Sequence, residues 1–167
     1  MKKQSQKFLW GAVGLVALLI GIKALSSSAA PVESVSNASL SIAEMKWDIG
    51  DVAMSKGISQ REVELTNTSG TPITVTQMST SCMCTTVQIV HSDGKKSGLK
   101  GMTGHGGGTS SLSETIKNGE TAKLVVNFDP NAHGPSATGP ITRTISLQTN
   151  SKKQPNIELT FSGNVVK

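Results

Sequence analysis

The stretch NIELTFSGNV, residues 156–165, alternates apolar and polar residues with a period of two. Successive side chains of a β-strand point to opposite faces, so this spacing predicts a strand with one buried face and one solvated face. The predicted buried face carries Ile157, Leu159, Phe161, Gly163 and Val165. A half-buried strand of this kind is typical of an antiparallel sheet that packs on one side only.

The same alternation recurs in shorter segments bounded by Gly, Pro, Asn or Ser, at residues 45–49, 63–65, 73–75, 87–89, 122–128 and 141–147. Turn signals recur about every eight to twelve residues, and no convincing amphipathic helix follows residue 40. This pattern predicts an all-β domain over residues 40–167, a two-sheet sandwich of about seven to eight antiparallel strands. An up-and-down barrel is the alternative.

The net charge of +5 is concentrated at the amino terminus. Lys2, Lys3, Lys7 and Lys23 flank one apolar run, residues 8–22, and the chain beyond residue 30 has twelve basic residues against eleven acidic ones. A nearly neutral body with no long basic cluster has little counterion-release drive toward DNA or RNA, so we expect no nucleic-acid partner. The lysines instead indicate membrane topology.

Residues 1–25 are therefore predicted to form an N-terminal transmembrane or signal helix. As a helix, residues 8–25 would extend roughly 27 Å, enough for a thin bilayer. The basic leader places the amino terminus in the cytoplasm and the body outside, attached to the membrane through this helix. The alternative is a signal peptide cut after Ala29, which would leave the body secreted. Residues 26–39 are small and polar and predict a flexible linker.

Both cysteines of the chain lie in one segment, SCMCTT at residues 81–86. On an extended strand, the Cα atoms of Cys82 and Cys84 would be about 6.5 to 7 Å apart, at or beyond the reach of an unstrained disulfide. A bulge or turn would bring them together. Three states therefore remain open in an oxidising compartment, namely a local disulfide, two free thiols or a metal-bound pair.

The segment at residues 92–111 predicts a long loop, since seven of its twenty residues are Gly. A loop of this length in a small domain is either functional or disordered. It carries Met102 and His105, and a later turn carries His133. Sulfur and imidazole ligands suit Cu(I), so one hypothesis is a copper site formed by Cys82, Cys84, Met102 and His105. The alternative is that these residues only pack or lie in a flexible loop, with no cofactor at all.

Catalytic motifs for hydrolysis, zinc proteolysis or phosphate binding do not occur in the sequence. We therefore expect a protein that is not an enzyme. The enzymatic variant with the most support is thiol redox chemistry at the Cys-Met-Cys segment.

The order of several motifs resembles the bacterial domain-of-unknown-function family 1573. The motifs are DIGDV at 48–52, VELTNTSG at 63–70, SCMCTT at 81–86, VVNFDP at 125–130 and LTFSGNV at 159–165. The resemblance implies an immunoglobulin-like sandwich related to the Hydin and major-sperm-protein domains, exported or membrane-anchored, with no established activity or site residues. Two features depart from the family pattern, because Met83 replaces the usual Gly and the 92–111 loop is longer.

These observations together predict an exported, membrane-tethered, immunoglobulin-like binding or scaffolding module of the cell envelope. A protein partner would bind through an edge strand or through the loop at residues 92–111. The alternatives are a soft-metal carrier and a thiol redox protein.

Overall fold

The computed structural model describes residues 35–104 and 109–167, and the regular structure within them is almost entirely β. Apart from one short 3-10 turn at Met54–Lys56, the elements are the strands β1 (Leu40–Ile42), β2 (Lys46–Ala53), β3 (Ser59–Asn67), β4 (Ile73–Thr80), β5 (Thr85–Val90), β6 (Ser111–Ile116), β7 (Thr121–Phe128), β8 (Gly139–Thr149) and β9 (Asn156–Val166).

The strands form two sheets rather than a closed barrel. One sheet has the order β1-β3-β7-β5 and the other has the order β2-β9-β8-β4-β6. The predicted all-β sandwich is therefore confirmed, with nine strands in the described part of the chain. The two strands that the sequence did not predict are β1 and β6. β1 has only three residues, and β6 carries Glu114 at the centre of its inward face, so neither shows a clear alternation of apolar residues.

The expectation of a wholly antiparallel sandwich is wrong at one strand pair. β1 pairs antiparallel with β3 in the first sheet, and β2 pairs parallel with β9 in the second. The chain changes sheets between Ile42 and Lys46, so two consecutive short strands serve different sheets. A parallel strand such as β2 has the same side-chain period of two as an antiparallel strand, so periodicity did not distinguish the two kinds of pairing.

The core lies between the inner faces of the two sheets and contains the residues that the alternation placed there. Leu159, Phe161 and Val165 of β9 are all buried. The ring of Phe161 stacks on Trp47 at 5.5 Å between centroids and meets the edge of Phe128 at 5.8 Å. Gly163 shares this face and lies beside the irregular part of β2, the neighbouring strand, where a Cβ would lie 2.5 Å from Cγ1 of Ile49.

Part of the predicted linker packs against the domain. Ala38 is completely buried, and Ser36 forms a parallel bridge with Ser151. The predicted membrane helix at residues 1–25 and the linker up to residue 34 lie outside the described residues. Within the ranges 35–104 and 109–167, no helix has the length and apolar character needed to span a bilayer.

Candidate functional site

The two cysteines lie in a tight turn between β4 and β5, not on an extended strand. The backbone N–H of Thr85 donates to the carbonyl of Cys82 at 3.1 Å. The hydroxyl of Thr80 lies 2.9 Å from the carbonyl oxygens of both Cys82 and Thr85. The turn shortens the Cα–Cα distance between Cys82 and Cys84 to 5.3 Å, and the two residues form a disulfide. The structure therefore has the first of the three predicted states.

The two sulfurs have different environments. Cys84 is buried at 3% exposure, and its Sγ accepts a hydrogen bond from Nε of Arg143 at 3.1 Å. Cys82 is only half-buried, and its Sγ lies 3.1 Å from Nε2 of the exposed His133. Burial lowers the pKa of Arg143 from its ordinary value, because desolvation disfavours the charged form. A guanidinium nevertheless keeps its charge at neutral pH, so Cys84 faces a cation.

Two backbone connections bring these side chains together from distant parts of the sequence. The N–H of Asp129 donates to the carbonyl of Cys84 at 2.8 Å and so attaches the turn that carries His133. The N–H of Ser81 donates to the carbonyl of Thr144 at 2.9 Å and places the cysteine turn beside β8, the strand of Arg143. The site therefore has three contributors: the β4–β5 turn, the β7–β8 connection and β8.

A pocket of about 270 Å³ borders this site. Its lining includes Cys84, His133 and Arg143, together with Pro130, Pro140 and Val165. A volume of this size is below the usual range for a drug-sized ligand but accommodates one or two side chains of a polypeptide.

The residues of the predicted copper site have different outcomes. Cys82 and Cys84 are adjacent, and their third neighbour is His133, whose ligand nitrogen lies within 4.8 Å of both sulfurs. Met102 is half-buried and follows Gly101, whose carbonyl oxygen is 3.4 Å from the N–H of Thr80. His105 lies outside the described residues. The copper site on Cys82, Cys84, Met102 and His105 stays a prediction.

The first half of the glycine-rich loop at residues 92–111 is ordered against the sandwich. The N–H of Ser97 donates to the carbonyl of Ile89 at 2.8 Å, and Val87 and Lys100 exchange two backbone hydrogen bonds of 2.8 and 2.9 Å. The loop thus covers the outer edge of β5. Composition alone did not predict this, because Gly content indicates conformational freedom but not the partner that a loop finds.

An ionic cluster at the other end of β5 from the cysteine turn was not predicted from the sequence. His91 places Nδ1 2.7 Å from Glu120 and Nε2 3.1 Å from Glu114, and Lys95 lies 3.3 Å from the same Glu114. A signal for it existed in the sequence. His91 continues the buried positions of Val87 and Ile89, just as Arg143 lies on β8 between the inward-facing positions of Ile141 and Ile145. Charged or titratable residues on an apolar face indicate a paired polar site.

One solved structure of low sequence identity has the same type of fold. The chain is similar to a protein of unknown function from Porphyromonas gingivalis W83, with a TM-score of 0.55 and 15% identity over 80% of this chain, and it spans 50% of that protein's length. It is also similar to the seventh PapD-like (ASH) domain of human CEP192, with a TM-score of 0.49 and 15% identity over 86% of this chain and 96% of that one.

No curated protein matches the sequence. Residues 40–101 match the family model described as protein of unknown function DUF1573. This segment runs from β1 through the Cys-Met-Cys turn to the loop that covers β5. The resemblance to family 1573 is therefore confirmed, and the chain has the DUF1573 pattern over residues 40–101 on a two-sheet β-sandwich.

Proposed function

We propose that this chain is an exported, membrane-tethered binding or scaffolding module of the cell envelope, without a cofactor and without enzymatic turnover. It binds a protein partner by accepting an extended segment of that partner as an additional strand on β6. The observation that carries the proposal is that β6 is the sheet edge with the least protection against strand addition.

Export is supported by two independent features. The basic leader and apolar run at residues 1–25 are those of a signal anchor. The disulfide between Cys82 and Cys84 is typical of a protein that folds in an oxidising compartment, since cytosolic thiols are kept reduced. We therefore place the body on the extracytoplasmic side.

The other sheet edges are protected by recognisable devices. The loop at residues 95–100 covers β5, and the side-chain amide of Gln154 contacts both the N–H and the C=O of Leu40 on β1. β2 carries Lys46, Asp48 and Asp51 and has an irregular register, with Gly50 at a φ of 64°. Charges, bulges and covering segments are the usual ways of preventing edge-to-edge association.

Within residues 35–104 and 109–167, no segment covers the outer side of β6 and no charge projects from it, although its pairing with β4 has a register shift between Ser111 and Glu114. Its sequence is SLSETI, and its single charge, Glu114, is directed into the ion cluster with His91. The exposed side chains of β6 are the small hydroxyls of Ser111, Ser113 and Thr115. A groove of about 540 Å³ lies alongside, lined by Ser113 and Thr115 from β6 and by the turn that follows β5. An extended polypeptide fits such an edge.

The register identifies the backbone groups that a partner would meet. The N–H of Thr74 on β4 donates to Oδ1 of Asn150, and the C=O of Thr74 accepts from the N–H of Asn150. Both backbone groups of Thr74 therefore point toward the β8 side. Residues of antiparallel strands alternate in direction, so Thr115, which is opposite Thr74, directs its N–H and C=O away from β4. The register shift between Ser111 and Glu114 ends this alternation before Ser113. Thr115 therefore presents its backbone donor and acceptor at the outer edge.

The test uses Thr115→Pro, with Thr115→Ala as the matched control, since both variants lose the hydroxyl contact with Thr74. Proline also removes an outward N–H without removing a backbone hydrogen bond to β4, and edge strands tolerate it. The probe is a random peptide library displayed on phage and selected against the full chain. We expect selected peptides to bind Thr115→Ala as they bind the wild type and to bind Thr115→Pro about tenfold more weakly, because one or two main-chain hydrogen bonds are lost. Equal affinity for both variants, or no selectable peptide, would contradict the proposal.

Copper carriage is the second candidate, and it rests on the proximity of Cys82, Cys84 and His133. The disulfide would first have to be reduced, because thiolates are the metal ligands. The test is metal content of the untagged full chain after equilibration with Cu(I) under reducing conditions. About one equivalent that is lost in the double variant Cys82→Ser and Cys84→Ser would support it, and less than about a tenth of an equivalent would end it.

A further inference from the structure

We propose that the Cys82–Cys84 disulfide is a thiol–disulfide exchange site, in which a partner thiolate attacks Cys82 and Cys84 departs as a thiolate held by Arg143. The substrate class is a dithiol polypeptide in the same compartment. The inference uses residues different from those of the β6 edge, so it stands or fails independently of the proposed strand addition.

The direction of attack follows from the difference in burial. Cys84 is 3% exposed and is enclosed by the core, whereas Cys82 is half-buried and lies beside the exposed His133. An incoming thiolate must approach the sulfur that it attacks. Access therefore favours Cys82 as the electrophilic sulfur.

The leaving sulfur is the one that carries the stabilising contacts. Nε of Arg143 donates to Sγ of Cys84 at 3.1 Å, and the hydroxyl of Thr85 lies 3.7 Å from the same sulfur. A neighbouring cation lowers the pKa of a thiol, and a leaving thiol of lower pKa departs faster. Arg143 thus favours cleavage of the disulfide toward a Cys84 thiolate.

The partner dithiol and the Cys82–Cys84 disulfide are the only redox reactants that the exchange requires. In the first step, the partner thiolate forms a bond with Sγ of Cys82, and the electron pair of the broken S–S bond stays on Sγ of Cys84. In the second step, the other partner thiolate attacks the partner sulfur of this mixed disulfide, and Cys82 departs as a thiolate that takes a proton from water. The partner dithiol is oxidised to a disulfide and Cys82–Cys84 is reduced to two thiols. The reaction is stoichiometric in this chain, so it is compatible with a binding module.

The pocket gives the partner a place beside the reacting bond. Its volume of about 270 Å³ is lined by Cys84, His133 and Arg143 and by apolar atoms of Phe128, Ile141 and Val165. Such a pocket can hold a side chain that neighbours the reacting cysteine of a partner. The disulfide is therefore next to a pocket for a polypeptide side chain.

The experiment measures the rate at which dithiothreitol reduces the disulfide of the oxidised full chain. Reactions are quenched with an alkylating agent, and alkylated thiols are counted by mass spectrometry. We expect Arg143→Gln to be reduced at least about tenfold more slowly than the wild type, because a hydrogen bond from a cation to the leaving thiolate is lost. Arg143→Lys should recover part of the rate. The matched control is Arg61→Gln, since Arg61 pairs with Glu44 and stacks over Trp47, and it should leave the rate unchanged.

If Arg143 had only a structural role, replacing it would change the rate of disulfide reduction in the opposite direction. A variant that loosens the fold exposes the disulfide, and its reduction becomes faster. A second measurement uses the wild type alone: limited reduction with glutathione, followed by peptide mapping, should find the mixed disulfide on Cys82. Equal rates for Arg143→Gln and Arg61→Gln, faster reduction of Arg143→Gln, or glutathione on Cys84 would each overturn the inference.

Discussion

Nδ1 of His91 lies 2.7 Å from a carboxylate oxygen of Glu120, and less than a tenth of either side chain is exposed. His91 follows β5 and Glu120 precedes β7, both in one sheet, while the second neighbour of the ring, Glu114, belongs to β6 of the other sheet. A protonated imidazole can donate to both carboxylates. The cluster of His91, Glu114 and Glu120 therefore connects the two sheets next to β6, the proposed binding edge.

Glu120→Gln is expected to lower stability in a pH-dependent way. Burial raises the pKa of Glu120, but hydrogen bonds from the backbone N–H of Lys117 and from His91, together with the charge of His91, outweigh it and hold the pKa below its ordinary value of 4.5. The carboxylate therefore contributes stability above about pH 4.5, and the contribution is lost as the pH falls through its folded-state pKa. We expect a loss of about 1–3 kcal/mol at neutral pH.

Urea unfolding of the wild type and Glu120→Gln between neutral and acidic pH measures this difference. The difference should narrow as the pH falls below 4.5. Glu62→Gln is the matched control, because Glu62 forms an exposed pair with Lys123 and should contribute only about 0–1 kcal/mol. A difference that widens in acid would contradict the assignment.

Asn67→Ala is expected to be strongly destabilising. The Asn67 side chain is completely buried, and its amide donates to the carbonyls of Thr71 and Ile116 at 2.9 Å each. Its Oδ1 accepts from the N–H and the hydroxyl of Ser69. Truncation leaves several buried polar groups without partners, which costs about 2–4 kcal/mol. Chemical denaturation measures this loss. Ser69→Ala, which removes one of these bonds at a more exposed position, should cost less than half as much.

Gly163→Ala tests the close approach of the irregular part of β2 to its neighbour β9. A Cβ at this position would lie 2.5 Å from Cγ1 of Ile49 and 3.0 Å from the carbonyl oxygen of Gly50. We expect a loss of about 1–3 kcal/mol from overpacking, measured by thermal or urea unfolding. The double variant with Ile49→Ala removes the nearer contact, so the two changes should be less than additive. Additive losses would show that the strain lies elsewhere.

The anchor prediction is tested on the chain expressed in bacteria with its amino terminus intact. Intact mass of the membrane fraction should correspond to all 167 residues. Protease added outside spheroplasts should remove the β-sandwich, because the basic leader places the body outside. A mature chain that begins at Ala30 in the soluble envelope fraction would instead establish the signal-peptide alternative.

The period-two alternation was sufficient to predict most of the sandwich. It located seven of the nine described strands and the buried face of β9, because burial of one sheet face constrains every second residue. It failed for β1 and β6, since a three-residue strand and a strand with a central glutamate produce no alternation. It also could not distinguish the parallel pairing of β2 with β9, which depends on where the chain changes sheets.

The site was predicted only in part. Cys82 and Cys84 attracted attention because they are the only cysteines and lie two residues apart. Arg143 was not recognised, although it is a charge at an inward-facing position of β8. His133 was recognised from the sequence only as part of a later turn, because its contact with Cys82 depends on the backbone hydrogen bond between Asp129 and Cys84.

The sequence by itself determined the β-rich class, the inner face of β9 and the family pattern over residues 40–101, because each depends on local periodicity, composition or motif order. Only the tertiary structure decided which residues meet. The turn between Thr80 and Thr85 brings two cysteines within disulfide reach. Residues much later in the chain then place the imidazole of His133 at Sγ of Cys82 and the guanidinium of Arg143 at Sγ of Cys84. Such contacts arise from sheet packing and strand register over long separations, which no local pattern of residues encodes.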